Sequence, residues 1–211
     1  MPVEHPLYPV NLVVDGRPCL VVGGGRVAAG KVRGLLEAGA VVTVIAPEID
    51  PAIAGLEGVA IERRAYRRGD IDGHRFVVAA TGDPQINQAV YDDGEAAGVW
   101  VNAADDPARC SAILPARIRQ GRLTVTISTG GHSPAVASWL KERLAAELGP
   151  EYDQLIGLLG EARKEVQAQG LGTEELDWRR ALDSGILDLV RAGRLDAAKE
   201  RLRACLSSSS D

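Results

Sequence analysis

An apolar run, Cys19-Leu20-Val21-Val22, ends in Gly23-Gly24-Gly25, and a segment with helical spacing starts directly behind it. The glycines fall as G-x-G-x-x-A, with Gly23, Gly25 and Ala28 at the fixed positions. A strand turning this tightly into a helix is the dinucleotide-binding arrangement. Gly23 permits the turn, Gly25 lets the backbone approach a pyrophosphate, and Ala28 keeps helix and strand close. The helix N-terminus adds free N–H groups and a partial positive charge. A glycine-rich turn with no ligand is the plain alternative, and the surrounding chain decides between the two.

Val27, Lys31, Leu35, Leu36 and Ala38 keep helical spacing, and Gly39 closes that helix. The β-branched run Val41-Val42-Thr43-Val44-Ile45 reads as a strand buried on both faces. A β-α-β unit is then complete. The carboxylate expected on the adenosine ribose lies about 20 residues past the glycines. Glu48, behind Ala46-Pro47, is the nearest one, and its plain alternative is a residue that opens a helical turn. The stretch Ala46 to Gly58 holds no Arg or Lys, which favours NAD over NADP.

Leu12-Val13-Val14 reads as a short strand, with Asp15-Gly16 turning into the next. Val59 to Tyr66 reads as a third strand and Phe76 to Ala80 as a buried one. Asp83 is placed as N-cap and Pro84 as first residue of a helix reaching Ala97. Val99-Trp100-Val101 forms another strand, ending at Asn102. This alternation predicts a Rossmann-type α/β fold, a doubly wound parallel sheet with its ligand crevice at the carboxyl ends of the strands. Gly23, Gly25, Arg26, Val27, Pro47, Glu48, Thr81 and Asn102 lie at those ends and are the candidate cofactor contacts; Arg26 is placed to meet either cofactor or substrate.

The pattern then changes. Ala112 to Ala116 and Leu123 to Thr129 read as two strands, the second with one apolar face from Leu123, Val125 and Ile127. The second strand runs into Ser128-Thr129-Gly130-Gly131-His132-Ser133-Pro134, a further glycine-rich strand-to-helix junction and a second anion site. From Glu151 onward only helices are expected. Three parts follow: a dinucleotide-binding domain over 1–111, a small α+β dimerisation and substrate segment over 112–149, and a helical domain over 150–211.

Bulk properties narrow the class. Aromatic residues make up only 4%, so Val, Ile, Leu and Ala build the core. A net charge of -5 argues against a general nucleic-acid binder. No apolar run is long enough for a membrane span, and the first residues lack the basic and apolar regions of a signal peptide. Cys19, Cys110 and Cys205 are far apart and odd in number, and no cluster has metal-ligand spacing. A reducing cytoplasm is the simplest home.

Four ordered motifs make the chain resemble one family. They are Val21-Val22-Gly23-Gly24-Gly25-x-Val27-Ala28-x-x-Lys31; Ala79-Ala80-Thr81-x-Asp83 with Asn87; Asn102-x-x-Asp105-Asp106-Pro107-x-x-Cys110-Ser111; and Pro115 with Ser128-Thr129-Gly130-Gly131-x-Ser133-Pro134. Their order and spacing resemble precorrin-2 dehydrogenase, the dehydrogenase and ferrochelatase module of siroheme synthase, closely over residues 7 to 148 and more loosely in the helical tail. The resemblance implies oxidation of precorrin-2 to sirohydrochlorin with hydride passing to NAD. In many members ferrous iron is then inserted at the same site as a co-substrate. It also implies a homodimer built through the segment after the Rossmann part. The family's essential aspartate falls on Asp105, and the serine phosphorylated in fused relatives falls on Thr129.

The residues agree with that chemistry. An acid at a strand's carboxyl end can accept the proton lost with the hydride; a plain Asp-Pro turn is the other reading of Asp105-Asp106-Pro107. The substrate is rich in carboxylates, so N–H-rich and cationic walls are expected. Ser128, Thr129, Gly130, Gly131, His132, Ser133 and Arg117 are the candidates, with an exposed loop side chain as the alternative for His132. Ala103-Ala104 and Ala112 replace larger residues common in the family and leave chelation less supported than dehydrogenation. The competing reading is a non-catalytic, NAD-sensing regulatory domain, which needs the glycine loop but neither Asp105 nor the second junction.

Overall fold

The structure, a computed structural model, describes residues 5–170, 172 and 176–207. Two compact units are present. The first runs to Leu114 and includes Ser128–Pro134; the second comprises Pro115–Ile127 and the chain from Ala135 onward. The Ser128–Pro134 loop thus groups with the first unit, whereas the sequence reading groups it with the segment that follows.

The first unit holds β1 (Pro18–Val22), α1 (Arg26–Leu36), β2 (Val41–Ile45), α2 (Pro51–Ala54), β3 (Val59–Glu62), β4 (Phe76–Ala79), α3 (Pro84–Ala97) and β5 (Trp100–Ala103). Its five strands are all parallel, in the order β3-β2-β1-β4-β5. Alternation divides β1, β2 and β4 between two cores. Cys19, Val21, Val42, Val44, Phe76 and Val78 pack with Ala28, Ala29 and Val32 of α1. Leu20, Val22, Ile45, Val77, Ala79, Val101 and Ala103 pack on the other face with Val90 of α3. Both faces are covered, which is why these strands read as unbroken apolar runs. Each large aliphatic buried here contributes about 1.5–3 kcal/mol. The order reverses beside β1, between β2 and β4, so the crevice opens at their carboxyl ends.

Helix ends follow the local chemistry. Asp83 accepts the Gln85 N–H at 2.8 Å, Pro84 occupies the first turn, and Gly98 closes α3 at φ 66°. Asp50 caps α2 through the Ala52 N–H at 2.8 Å.

Two expected strands differ. Leu12-Val13-Val14 is not a strand: only Val14 is buried, Val13 is 85% exposed, and the sheet ends at β3 and β5 without it. The strand expected over Ala112–Ala116 instead begins at Ala116, as β6 (Ala116–Gln120). The Ser111 and Ala112 N–H groups both bond Val101 O, at 2.9 and 3.0 Å, and Pro115 has no N–H to pair. β3 is also shorter than expected, stopping at Glu62, where Arg64 turns back to bond Glu62 and Asp70.

In the second unit β6 pairs antiparallel with β7 (Leu123–Ile127) through a Gly121-Arg122 turn. Gly121 has φ 56°, and a Cβ there would stand 2.2 Å from the Asp153 side chain. Asp153 takes the Arg122 N–H at 2.7 Å. Then come α4 (Pro134–Glu147), α5 (Glu151–Ala168), α6 (Trp178–Ala181), a π-helical turn (Leu182–Ile186), α7 (Leu187–Arg191) and α8 (Leu195–Ser207). Leu155, Leu158, Ala181, Ile186, Val190 and Leu202 form a core shared by the elements from α5 to α8. Among the described residues no helix is long and apolar enough to cross a membrane.

Candidate active site

The glycine turn is shaped by close packing on two sides and open space on the third. Gly23 has φ 121°, its N–H donates to Ile45 O at 2.9 Å, and a Cβ there would stand 2.3 Å from Ala80 O. Gly24 is tighter still: a Cβ would stand 1.9 Å from Glu48 O, and its carbonyl accepts the Asp50 N–H at 2.8 Å. The loop after β2 is therefore folded against the turn, which sets exposed Pro47 and Glu48 beside it. Gly25 meets nothing within 4 Å. It is the N-cap of α1 and supplies no capping side chain, so the first-turn N–H groups are left to an external acceptor. Arg26 and Val27 lie exposed beside that opening. A tight turn, an open face and an uncapped helix end together fit a pyrophosphate.

At the end of β4, Asn87 is buried and fastens Thr81. Thr81 Oγ1 donates to Asn87 Oδ1 at 2.7 Å, and Asn87 Nδ2 donates to Thr81 O at 3.2 Å. Asn102 lies within β5 and is only 5% exposed. Its Nδ2 donates to Ala112 O at 3.0 Å, while its buried Oδ1 has no hydrogen-bond partner among the described residues.

Two adjacent aspartates follow β5, and their surroundings treat them oppositely. Asp106 is bonded by the Arg109 guanidinium, whose Nε donates to Gln88 Oε1 of α3 at 2.7 Å. Asp105 is exposed, with no hydrogen bond or ion pair among the described residues. It sits at the third position of a turn closed by the Asp106 N–H on Ala103 O at 3.3 Å. Its φ of 60° is the only positive value outside glycine among the described residues. Such positions cluster where function over-determines the backbone.

The Ser128–Pro134 loop is held by its own hydroxyls. Ser128 Oγ accepts the Gly130 N–H at 3.3 Å, and Thr129 Oγ1 accepts the Ser133 N–H at 3.1 Å. Gly130 and Gly131 both take positive φ, 60° and 82°, and His132 is exposed at the tip. Arg117 is not part of this unit; it lies exposed on β6 in the second. No group of three or more His, Cys, Asp or Glu able to hold a metal ion occurs among the described residues. A cavity lined by Gly69, Ile71, Asp72, Asp93, Ala96 and Ala97 lies at the opposite, amino-terminal edge of the sheet.

Gln88 carries no signal in the sequence, and Gly24 enters there only as part of the glycine run of the first motif. The unbroken Gly23-Gly24-Gly25 run was the one available signal for Gly24.

The sheet order and this crevice define a dinucleotide-binding Rossmann protein. The family model described as putative NAD(P)-binding matches residues 10–116, and that of the sirohaem biosynthesis protein central domain matches residues 120–147. The chain belongs to the putative NAD(P)-binding family, in the form joined to that sirohaem biosynthesis domain. It is similar to the siroheme synthase of Thioalkalivibrio sulfidiphilus, 36% identical over 209 residues that make 97% of this chain and 43% of the relative. Siroheme synthase 3 of Aeromonas hydrophila is 38% identical over 92% of this chain and 42% of its own length. The chain thus spans about two-fifths of the curated relatives it matches. The solved structure of SirC, precorrin-2 dehydrogenase, superposes with a TM-score of 0.73 at 29% identity, covering 94% of this chain and 98% of that one.

Proposed function

We propose that this chain catalyses the NAD-dependent dehydrogenation of precorrin-2 to sirohydrochlorin. The observation that carries this reading is the contrast between the two aspartates. Asp106 is tied to Arg109, while Asp105 has no partner among the described residues and is exposed and held at φ 60° at the crevice edge. The likeness to SirC, precorrin-2 dehydrogenase, supports the substrate.

When bound, NAD supplies the hydride acceptor. The chain supplies the rest. The uncapped N-terminus of α1 holds the pyrophosphate, with Arg26 and Val27 at its side. Pro47 and Glu48 line the ribose end, and Thr81 and Asn102 border the end nearer Asp105. Asp105 takes the proton that leaves the substrate with the hydride. The Ser128–Ser133 loop offers N–H groups to the substrate's carboxylates, and Arg117 is a further cation for them on grounds of charge alone.

Supplying precorrin-2 and NAD and following NADH tests this. Asp105→Ala is expected to abolish turnover while NAD still binds; a fully active variant overturns the role given to Asp105. Turnover also excludes a non-catalytic NAD sensor. A second reading adds ferrous iron insertion at the same site, with Asp105 taking the pyrrole protons. Its support is the similarity to siroheme synthases, and absorbance on mixing sirohydrochlorin with ferrous iron decides it. The protein is further read as a cytoplasmic homodimer. Leu123, Val125 and Ile127 of β7, only half-buried in one chain and alternating with exposed Thr124 and Thr126, support an interface there.

A further inference from the structure

The turn that carries Asp105 is gripped by a single sulfur. Cys110 Sγ accepts the Ala103 N–H at 3.2 Å and lies 3.3 Å from both Ala103 O and Asp106 O. Asn102 Nδ2 stands 3.6 Å from the same sulfur. Ala103 and Asp106 are the two ends of the turn, so the thiol spans it, and Asp105 lies inside the span. A thiol can give a proton to a carbonyl only while it is protonated. Burial, aided by the nearby Asp106 charge, pushes the Cys110 thiol up and keeps it so.

The grip has a reason. A left-handed backbone costs an L-residue roughly 1–2 kcal/mol, so it persists only where its neighbours enforce it. Without the sulfur, the Ala103 N–H and the Asp106 carbonyl lose the partner they share, and the turn is free to relax. No chemistry at Cys110 itself is required.

We propose that Cys110 is a positioning residue for Asp105: its thiol, bonded to both ends of the Ala103–Asp106 turn, holds the Asp105 carboxylate in the orientation that proton transfer needs. This rests on the dehydrogenase reading above. Valine fills the space of cysteine but makes none of these bonds. Serine keeps a donor and an acceptor.

The test compares wild type, Cys110→Val and Cys110→Ser for turnover of precorrin-2 with NAD, alongside NAD affinity and Tm. For Cys110→Val, kcat is expected to fall roughly ten- to hundredfold, as small misplacements of a reacting group do, with NAD affinity unchanged and KM for precorrin-2 little changed. Cys110→Ser is expected to restore kcat to within about threefold. Should Cys110→Val fail to fold, Cys110→Ala carries the same comparisons. Wild-type kcat in the valine or alanine variant overturns the proposal, as does a loss that Cys110→Ser does not restore. A wild-type enzyme that makes no NADH from precorrin-2 overturns the dehydrogenase reading and this one together. Wild-type turnover with an unimpaired variant overturns this one alone.

Discussion

Asn87 grips Thr81 from both sides of its amide, Oδ1 2.7 Å from the Thr81 hydroxyl and Nδ2 3.2 Å from the Thr81 carbonyl. The grip fixes the end of β4 at the crevice. Asn87 is 7% exposed, so its replacement strands buried polar groups, at about 1–3 kcal/mol. Asn87→Ala is expected to lower Tm and to weaken NAD binding severalfold, read by thermal melts and by titration with NAD. Undiminished affinity would show that Thr81 needs no anchoring.

Neighbouring glycines are expected to respond differently to alanine. At Gly24 a methyl group would stand 1.9 Å from the Glu48 carbonyl, and backbone must move. Gly24→Ala should therefore destabilise the whole first unit, by roughly 1–3 kcal/mol, as over-packing does. At Gly25 the methyl meets open space. Gly25→Ala should keep Tm within a degree or two and lose NAD binding. Thermal melts beside NAD titrations separate the two, and matched losses of Tm would contradict the assignment.

Asp105 offers a trade between stability and turnover. Glycine at φ 60° removes a left-handed penalty of about 1–2 kcal/mol and adds an entropic cost of about 0.5–1 kcal/mol. Asp105→Gly is expected to melt no lower than wild type, while producing no NADH. A clear fall in Tm would mean that the carboxylate itself holds the turn.

Acid stability should depend on Asp70. Arg64 meets its carboxylate with two bonds, 2.6 and 2.9 Å, and the Arg67 N–H adds a third at 2.7 Å. The Arg64 guanidinium, foremost, holds its carboxyl below the usual carboxylate range. A folded-state value below the unfolded one stabilises above the unfolded value, about 3.9, and that stabilisation is lost as pH falls through the folded value. The Tm gap between wild type and Asp70→Asn should thus be full near pH 6 and shrink below about pH 4. A gap that stays constant into strong acid would exclude this pair as its source.

What could be read in advance depended on whether the cause was local. β1, β2 and β4 were legible because burial on both faces leaves unbroken apolar runs. The α3 start was legible because Asp83 and Pro84 act on their own neighbours. Leu12-Val13-Val14 has the same β-branched character, but a strand needs a partner, and no position in the sheet receives it. The reason Gly24 must be glycine is not local, because the atom that forbids a side chain, Glu48 O, arrives only on folding. Which of two aspartates stays free was equally hidden from spacing alone, since Arg109 decides it and is itself steadied by Gln88. The family resemblance placed Asp105; the ion pair explains why its neighbour is the unsuitable one.

The chain enters the first unit, leaves it after Leu114, returns for Ser128–Pro134 and leaves again. No single cut separates the two units. A fragment stopped at Leu114 would lack the glycine-rich junction, and one begun at Pro115 would carry it without its sheet.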